Sequence, residues 1–264
     1  MLFRLFFRNF AAMKQAMIFA AGLGTRLKPL TDTMPKALVR VGGQPLLWHV
    51  VQKLKSAGYE RIVVNVHHFA QQIVDYLAAN DNFGLDIRIS DETSQLLETG
   101  GGIKKARELF DPSEPVLIHN VDILSNLDLA AVTQGLSPVC EAGEGHGDCP
   151  LGDGLDALLV VSQRQTKRYL QFDDKMRLIG WKNIETGEVK GKEGRSLAFS
   201  GIHIISPSLF PLMDEWPDRF PIMDFYLKVC ADHRLMGYAA HDLQLLDVGK
   251  LDTLDQAEQY IRTQ

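Results

Sequence analysis

Gln15-Ala16-Met17-Ile18-Phe19-Ala20-Ala21 runs directly into Gly22-Leu23-Gly24-Thr25-Arg26-Leu27-Lys28-Pro29-Leu30-Thr31 and on to Pro35-Lys36. The first seven residues are small or apolar without a helical period, which predicts a strand buried on both faces. Glycines directly behind such a strand let the main chain approach a ligand closely, and their N–H groups can cradle phosphate oxygens. Arg26 adds a planar, permanently charged fork, and Lys36 adds a second cation on a longer stem. A Gly-x-Gly pair alone fits an ordinary strand-to-loop turn about as well. A dinucleotide-binding fingerprint needs a third glycine leading straight into a helix. Here Leu27 holds that place, Pro29 and Pro35 interrupt a helix, and the next strand ends on Asn65, His67 and His68 without an acidic residue for a ribose. A dehydrogenase is therefore a poor second reading.

Outward from this segment, strands and helices alternate. Pro45 opens a helix in which Leu47, Val50, Val51 and Leu54 recur at helical spacing, and Gly58 stands where it would stop. Residues 61–66 read as the next buried strand. A helix over 70–79, a strand over 85–90, a helix over 101–109 and a strand over 115–119 follow. That alternation predicts an α/β fold with a Rossmann-like, doubly wound, mostly parallel sheet and helices on both faces. Strands over 157–162, 169–173, 178–181 and 197–205, joined by Asp-Asp and Thr-Gly turns, read as a smaller antiparallel part. A helix over 221–231, a strand over 245–248 and a helix from Leu251 complete the chain.

The chain has 264 residues, 45% of them hydrophobic, enough for one full core, and we expect one domain over 13–264. Residues 1–12 mix Leu2, Phe3, Leu5, Phe6 and Phe7 with Arg4 and Arg8 and lack a convincing cleavage site. They read as a disordered extension ahead of Met13. The acidic, glycine-rich run over 136–156 reads as a flexible surface loop. A net charge of −5 lacks the basic excess of a nucleic-acid surface, and nothing after residue 12 is long and apolar enough to span a bilayer. Cys140, Cys149 and Cys230 form neither a disulfide framework nor a zinc pair, which suits a reducing cytoplasm. Small molecules are the expected partners.

Three further segments could carry chemistry. His119-Asn120-Val121-Asp122 ends a predicted strand, where open α/β sheets bind their ligands. Taken alone, Asp122 reads equally as an oxygen ligand for magnesium or as a cap of the following segment. Leu246-Asp247-Val248-Gly249 repeats the pattern, and its bland reading is a helix entry before Leu251. Leu97-Glu98-Thr99-Gly100-Gly101-Gly102-Ile103, preceded by Asp91 and Glu92, places three glycines at a helix entry, where each costs about 1 kcal/mol against alanine inside a helix. Close contact with a ligand ring is the expected reason. Trp181 and Phe199-Ser200-Gly201-Ile202-His203 suit either a sugar pocket or strand core. His67, His68 and His119 read as packing residues.

The string Gly22-Leu23-Gly24-Thr25-Arg26, with Pro29-Leu30-Thr31, Pro35-Lys36 and Gly43-Gln44-Pro45-Leu46, resembles the signature of the nucleoside-diphosphate-sugar pyrophosphorylases. The likeness runs from Met13 to the C-terminus. It implies the nucleotide-diphospho-sugar transferase fold and a reaction in which a sugar 1-phosphate attacks the α-phosphorus of a nucleoside triphosphate and expels pyrophosphate. It further implies catalytic roles for Arg26 and Lys36 and Mg²⁺ on Asp122 and Asp247. Ala20, Ala21, Gly22, Gly24, Thr25, Arg26, Glu92, Glu98, Gly100 and Asn120 would bind nucleotide. Thr99, Gly101, Trp181, Ser200 and Gly201 would bind sugar. No general base is needed, because the attacking phosphate is already ionised at neutral pH.

Within that family, Leu97 to Ile103 and Ala198 to His203 are most similar to the branch of uridylyltransferases that take UTP and N-acetylmuramate α-1-phosphate in cell-wall recycling. That likeness implies a functional link to an anomeric sugar kinase and a monomer or small homo-oligomer. Mannose or heptose 1-phosphate guanylyltransferases and glucose 1-phosphate thymidylyltransferases share the loop and remain alternatives. A non-catalytic nucleotide-sugar-binding subunit is the alternative of another class, against which Arg26, Lys36, Asp122 and Asp247 argue. No hexapeptide repeat follows the domain.

Overall fold

The computed structural model describes residues 14–134, 154–240 and 242–263. The expected extension over 1–12, nearly all of the expected loop over 136–156, and Cys140 and Cys149 lie outside the described residues. The strands are β1 Gln15–Phe19, β2 Arg40–Val41, β3 Gln44–Pro45, β4 Arg61–Val66, β5 Asp86–Asp91, β6 Val116–Asn120 and β7 Ile123–Ser125, followed by β8 Ala157–Ser162, β9 Arg168–Phe172, β10 Leu178–Asn183, β11 Val189–Gly191, β12 Arg195–Ile205, β13 Leu235–Ala239 and β14 Leu245–Asp247. The helices are α1 Leu46–Ser56, α2 Ala70–Ala79, α3 Glu98–Ala106, α4 Leu129–Gln134, α5 Ile222–Val229 and α6 Leu254–Arg262.

The main sheet runs β11-β10-β9-β12-β6-β1-β4-β5, with β8 beside β12 and β13 beside β8. β6, β1, β4 and β5 are mutually parallel. β12 pairs antiparallel with β6, β8 and β9, so it joins the parallel half to the antiparallel half in one continuous sheet. The expected doubly wound, mixed sheet with helices is present. Its antiparallel part shares this sheet.

Alternation along the strands builds a core on each face. Ala16 and Ile18 of β1, Ile62 and Val64 of β4, and Leu158 and Val160 of β8 pack with Leu46, Leu47, Val50, Val51 and Leu54 of α1 and with Ile73 and Leu77 of α2. Met17, Val63, Leu159 and Val161 point the other way, onto Ile103 and Ala106 of α3 and Ile222, Phe225 and Tyr226 of α5. A sheet covered on both faces needs strands with apolar runs, as Ala16 to Phe19 of β1 and Ile62 to Val64 of β4 are. Each fully buried Leu, Ile or Val contributes about 1.5–3 kcal/mol by removal from water.

Strand order positions the site. The chain moves from β1 outward to β4 and β5, then returns to lay β6 on the other side of β1. Its switch point therefore lies between β1 and β6, and ligands of such sheets bind beyond the strand C-termini at that point. The loop after Phe19 and the segment after Asn120 both emerge there.

Some boundaries differ from the sequence reading. α3 starts at Glu98 rather than 101, because Gly100 and Gly101 donate their N–H groups to the carbonyl of Phe220 and so begin the helix against another segment. β2, β3, β7, α4, β11 and β13 were not anticipated. They are too short to show a period, except β13, whose Gly237 and Tyr238 interrupt its apolar run. No helix among the described residues is long and apolar enough to cross a membrane.

Candidate active site

The glycine-rich loop is held in shape from within. Gly24 sits at φ 64°, and its carbonyl accepts from the Leu27 N–H at 2.8 Å and from the Thr31 hydroxyl at 2.8 Å. A side chain at Gly24 would lie 2.9 Å from Thr31 Cγ2 and 3.0 Å from Lys36 Cβ, so the loop closes on itself around bare glycine. Gly22, in contrast, is exposed with nothing within 4 Å of where a Cβ would stand. Thr25 and Arg26 are exposed, while Leu27 is buried and anchors the loop to the core. Gly22 to Arg26 thus presents open main chain and one guanidinium at the switch point.

Ala20 and Ala21 are placed differently from the expectation. They are 2% and 4% exposed, and both N–H groups donate to Asn65 Oδ1, at 2.7 and 3.3 Å. Asn65 in turn donates through Nδ2 to Glu92 Oε1 at 2.7 Å, and Glu92 Oε2 accepts from the Leu97 N–H at 3.1 Å. Glu92 is fully buried and ties the exit of β1 to the entry of α3. Burial raises its carboxyl pKa above the usual value, opposed by these hydrogen bonds to the charged form. Asn65 stood in the sequence only as a missing ribose ligand. Its role depends on β1 and β4 being neighbours, which no local pattern announces.

The triple glycine is likewise explained by the protein itself. A Cβ on Gly100 would fall 2.2 Å from the Phe220 ring, one on Gly101 would fall 2.0 Å from the Asp218 carbonyl, and one on Gly102 would fall 2.9 Å from Glu92 Oε1. Gly100 and Gly101 are buried with their N–H groups on Phe220 O at 2.8 and 3.2 Å, and close packing of α3 against residues 218–220 by itself requires glycine at both positions. Thr99 Oγ1 accepts from the Ile222 N–H at 2.9 Å and splices α3 to α5. Glu98 stays partly exposed at φ 62°, paired with Arg219 at 3.0 Å. A non-glycine residue there stores about 1–3 kcal/mol of strain, a frequent mark of ligand-handling segments.

Across the switch point, Asp122 is 8% exposed and its Oδ2 pairs with Lys36 Nζ. Asp247 is exposed at the end of β14. β14 pairs with β7 so that Asp247 lies opposite Ile123, and the Val248 N–H donates to the Asp122 carbonyl at 2.8 Å. Gly249 keeps open the space between Asp247 and Arg26: its Cβ would lie 2.6 Å from Asp247 Oδ1 and 2.8 Å from an Arg26 guanidinium nitrogen. Arg26, Lys36, Asp122 and Asp247 are therefore brought together from three separate segments: the loop over 22–36, the turn after β6 and the end of β14.

Among the described residues no group of three or more His, Cys, Asp or Glu side chains could hold a metal unaided. Two carboxylates beside an open phosphate loop nevertheless suit Mg²⁺, which is commonly bound by one or two carboxylates, with water and substrate phosphates completing its octahedron. His119 is fully buried with Nδ1 2.8 Å from the Asn120 carbonyl, and burial lowers its pKa to about 4, so it is neutral and structural, as expected. His67 Nδ1 lies 2.7 Å from the Glu92 carbonyl, also in a packing role.

The remaining expected residues lie along β12 and its neighbours. β12 shifts register against β8 between Phe199 and His203. Gly201 sits in that bulge at φ 79°, where a Cβ would come 2.6 Å from the Asn120 carboxamide nitrogen. Ser200 is buried and its Oγ accepts from the Ile202 N–H at 3.2 Å, so it shapes the bulge rather than facing a cleft. Trp181 and Phe199 line a cleft of about 500 Å³ with Arg164, Arg168, Lys190 and Met223. That cleft meets the α3 entry through Pro221, whose neighbours Phe220 and Ile222 bond Gly100 and Thr99.

Comparison with known proteins shows likeness in sequence and in fold. The nucleotidyl transferase family model matches residues 15–138. An N-acetylmuramate alpha-1-phosphate uridylyltransferase of Caulobacter vibrioides is 34% identical over 88% of this chain and 90% of its own. One of Neisseria meningitidis serogroup B is 36% identical over 74% of this chain and 77% of its own. A crystal structure of a putative glucose-1-phosphate thymidylyltransferase from Bacillus anthracis shares the fold with a TM-score of 0.76 at 17% identity, covering 95% of this chain and 96% of that one.

Proposed function

Because the chain belongs to the sugar-1-phosphate nucleotidyltransferases of the nucleotidyl transferase family, we propose that it joins UTP to N-acetylmuramate α-1-phosphate, giving UDP-N-acetylmuramate and pyrophosphate. The observation that carries the reaction is the convergence of Arg26, Lys36, Asp122 and Asp247 at the β1/β6 switch point. The choice of base and sugar follows the two uridylyltransferases whose likeness extends over most of the chain.

The chemistry asks mainly for positioning and charge neutralisation. The open main chain of Gly22 to Thr25 receives the triphosphate, and the Arg26 guanidinium holds its tail. Lys36 stands where the two phosphates meet and offsets their repulsion, exchanging its contact with Asp122 for phosphate oxygen. An oxygen of the sugar phosphate attacks the α-phosphorus in line, and the bond to the β-phosphate bridging oxygen breaks. Mg²⁺ held by Asp122 and Asp247 would supply charge stabilisation to the bridging phosphates. Trp181 offers an aromatic face to the sugar ring. In the cell, the sugar phosphate must come from a reaction that phosphorylates the anomeric hydroxyl.

The test is a pyrophosphate-release panel of UTP, GTP, CTP and dTTP against the 1-phosphates of N-acetylmuramate, N-acetylglucosamine, glucose, mannose and heptose. UTP with the muramate phosphate is expected to be fastest. A faster pair elsewhere, such as GTP with mannose 1-phosphate, reassigns the substrate and leaves the reaction class standing.

A further inference from the structure

An acceptor such as N-acetylmuramate 1-phosphate carries a feature that its N-acetylglucosamine counterpart lacks, a carboxylate on a lactyl ether. Discriminating the two requires a cation that has no carboxylate partner of its own in the protein. The cleft beneath Trp181 contains three basic side chains. Lys190 lies 5.5 Å from the Trp181 ring centre and is paired with Asp224 at 3.0 Å and, more loosely, with Glu188 at 3.9 Å. Arg164 and Arg168 have no carboxylate partner among the described residues, although the chain as a whole is acidic at −5.

Arg164 is also fixed at a telling place. It donates through Nη2 to the Phe199 carbonyl at 2.9 Å, at the shoulder of the β12 bulge. Two residues along, Gly201 abuts Asn120, which lies two residues before Asp122. β12 runs antiparallel to β6 with Ile202 opposite His119, so the step back from Gly201 to Phe199 and the step on from Asn120 to Asp122 lead to the same end of the sheet. One donor nitrogen of Arg164 orients the fork on Phe199, and its other N–H groups are left for an anion in the cleft. A guanidinium matches a carboxylate in shape and charge.

We propose that Arg164, assisted by Arg168, forms the subsite for the acceptor's carboxylate and makes the enzyme selective for an acidic sugar 1-phosphate. This rests on the uridylyl-transfer reading above. The experiment measures kcat/KM for the muramate and N-acetylglucosamine 1-phosphates with UTP in wild type, Arg164→Gln, Arg164→Lys and Arg168→Gln, with melting temperature and UTP binding as controls. Glutamine keeps an N–H donor for the Phe199 carbonyl and removes the charge. The preference for muramate is expected to fall about 10- to 100-fold in Arg164→Gln, less in Arg168→Gln, and least in Arg164→Lys. A ratio within twofold of wild type, or an equal loss on both sugars, overturns the subsite while wild-type turnover of the muramate phosphate upholds the reaction. Wild type that ignores the muramate phosphate overturns both.

Discussion

The Val248 N–H donates to the Asp122 carbonyl at 2.8 Å, and this bond carries the two aspartates of the site into one place. Asp122 follows β6 of the central sheet, whereas Asp247 ends β14, which is laddered to β7 outside that sheet. Their approach leaves two carboxylates near each other, an arrangement that a divalent cation stabilises. Asp122→Asn and Asp247→Asn should each lower Mg²⁺-dependent turnover at least about 100-fold while the melting temperature moves little. Near-wild-type activity across a magnesium titration would remove that residue from the metal site.

The Asn65 carboxamide links the phosphate loop to α3 through Glu92. Asn65→Ala leaves the Ala20 and Ala21 N–H groups and a buried carboxylate oxygen unpartnered, at about 1–3 kcal/mol for each group. A stability loss of roughly 3 kcal/mol or more in urea unfolding is expected, with a rise in the KM for UTP. Asn65→Asp should be worse, since it sets a second carboxylate against Glu92. An unchanged urea midpoint for Asn65→Ala would show that the relay carries no strain into the loop.

Two glycines of the site separate packing from ligand approach. Gly101→Ala puts a methyl 2.0 Å from the Asp218 carbonyl and should cost about 3 kcal/mol or more, against alanine's helical advantage of about 1 kcal/mol. Gly22→Ala meets no atom within 4 Å and should stay within about 1 kcal/mol of wild type while raising the KM for UTP severalfold. Equal stability losses in the two variants would contradict this division.

His203 is buried with neither ring nitrogen hydrogen-bonded, 5.6 Å from the ring centres of Phe199 and Tyr226. Burial lowers its pKa from 6.5 to about 3. Between those values the unfolded chain binds a proton that the folded chain refuses, so this group removes stability as pH falls below about 6.5. His203→Phe deletes that contribution. The variant's stability relative to wild type should therefore rise on acidification from pH 6.5 to 4, by up to about 1.4 kcal/mol per pH unit. A difference that stays flat over that range would mean His203 takes up its proton in the folded state.

The apolar strand segments over 15–21 and 61–66 and the helical spacing of Leu47, Val50, Val51 and Leu54 exposed the doubly wound half of the fold, because each segment is long enough for its pattern to show. The loop from Gly22 to Lys36 was legible as a phosphate loop because its glycines and cations are contiguous in the chain. The packing roles of Glu92, Gly100 and Gly101 were illegible for a shared reason. A glycine that meets a ligand and one that meets the protein's own Phe220 or Asp218 look the same until α3 is docked. A carboxylate beside a binding segment looks like a ligand contact until its burial is known. Arg164 drew no attention because a lone arginine after a strand is ordinary.

By itself, the sequence determined the apolar strands, the glycine-rich loop with its cations, and the family resemblance that implies the reaction class, since these are local and survive without context. Tertiary structure alone decided which of those residues are buried against the protein and which stand open at the switch point. Strand order placed Asn65 under Ala20, the β7–β14 ladder brought Asp247 beside Asp122, and the bulge in β12 turned Phe199 toward Arg164. Those contacts join residues far apart in the chain, and their geometry exists only once the sheet has closed around β1.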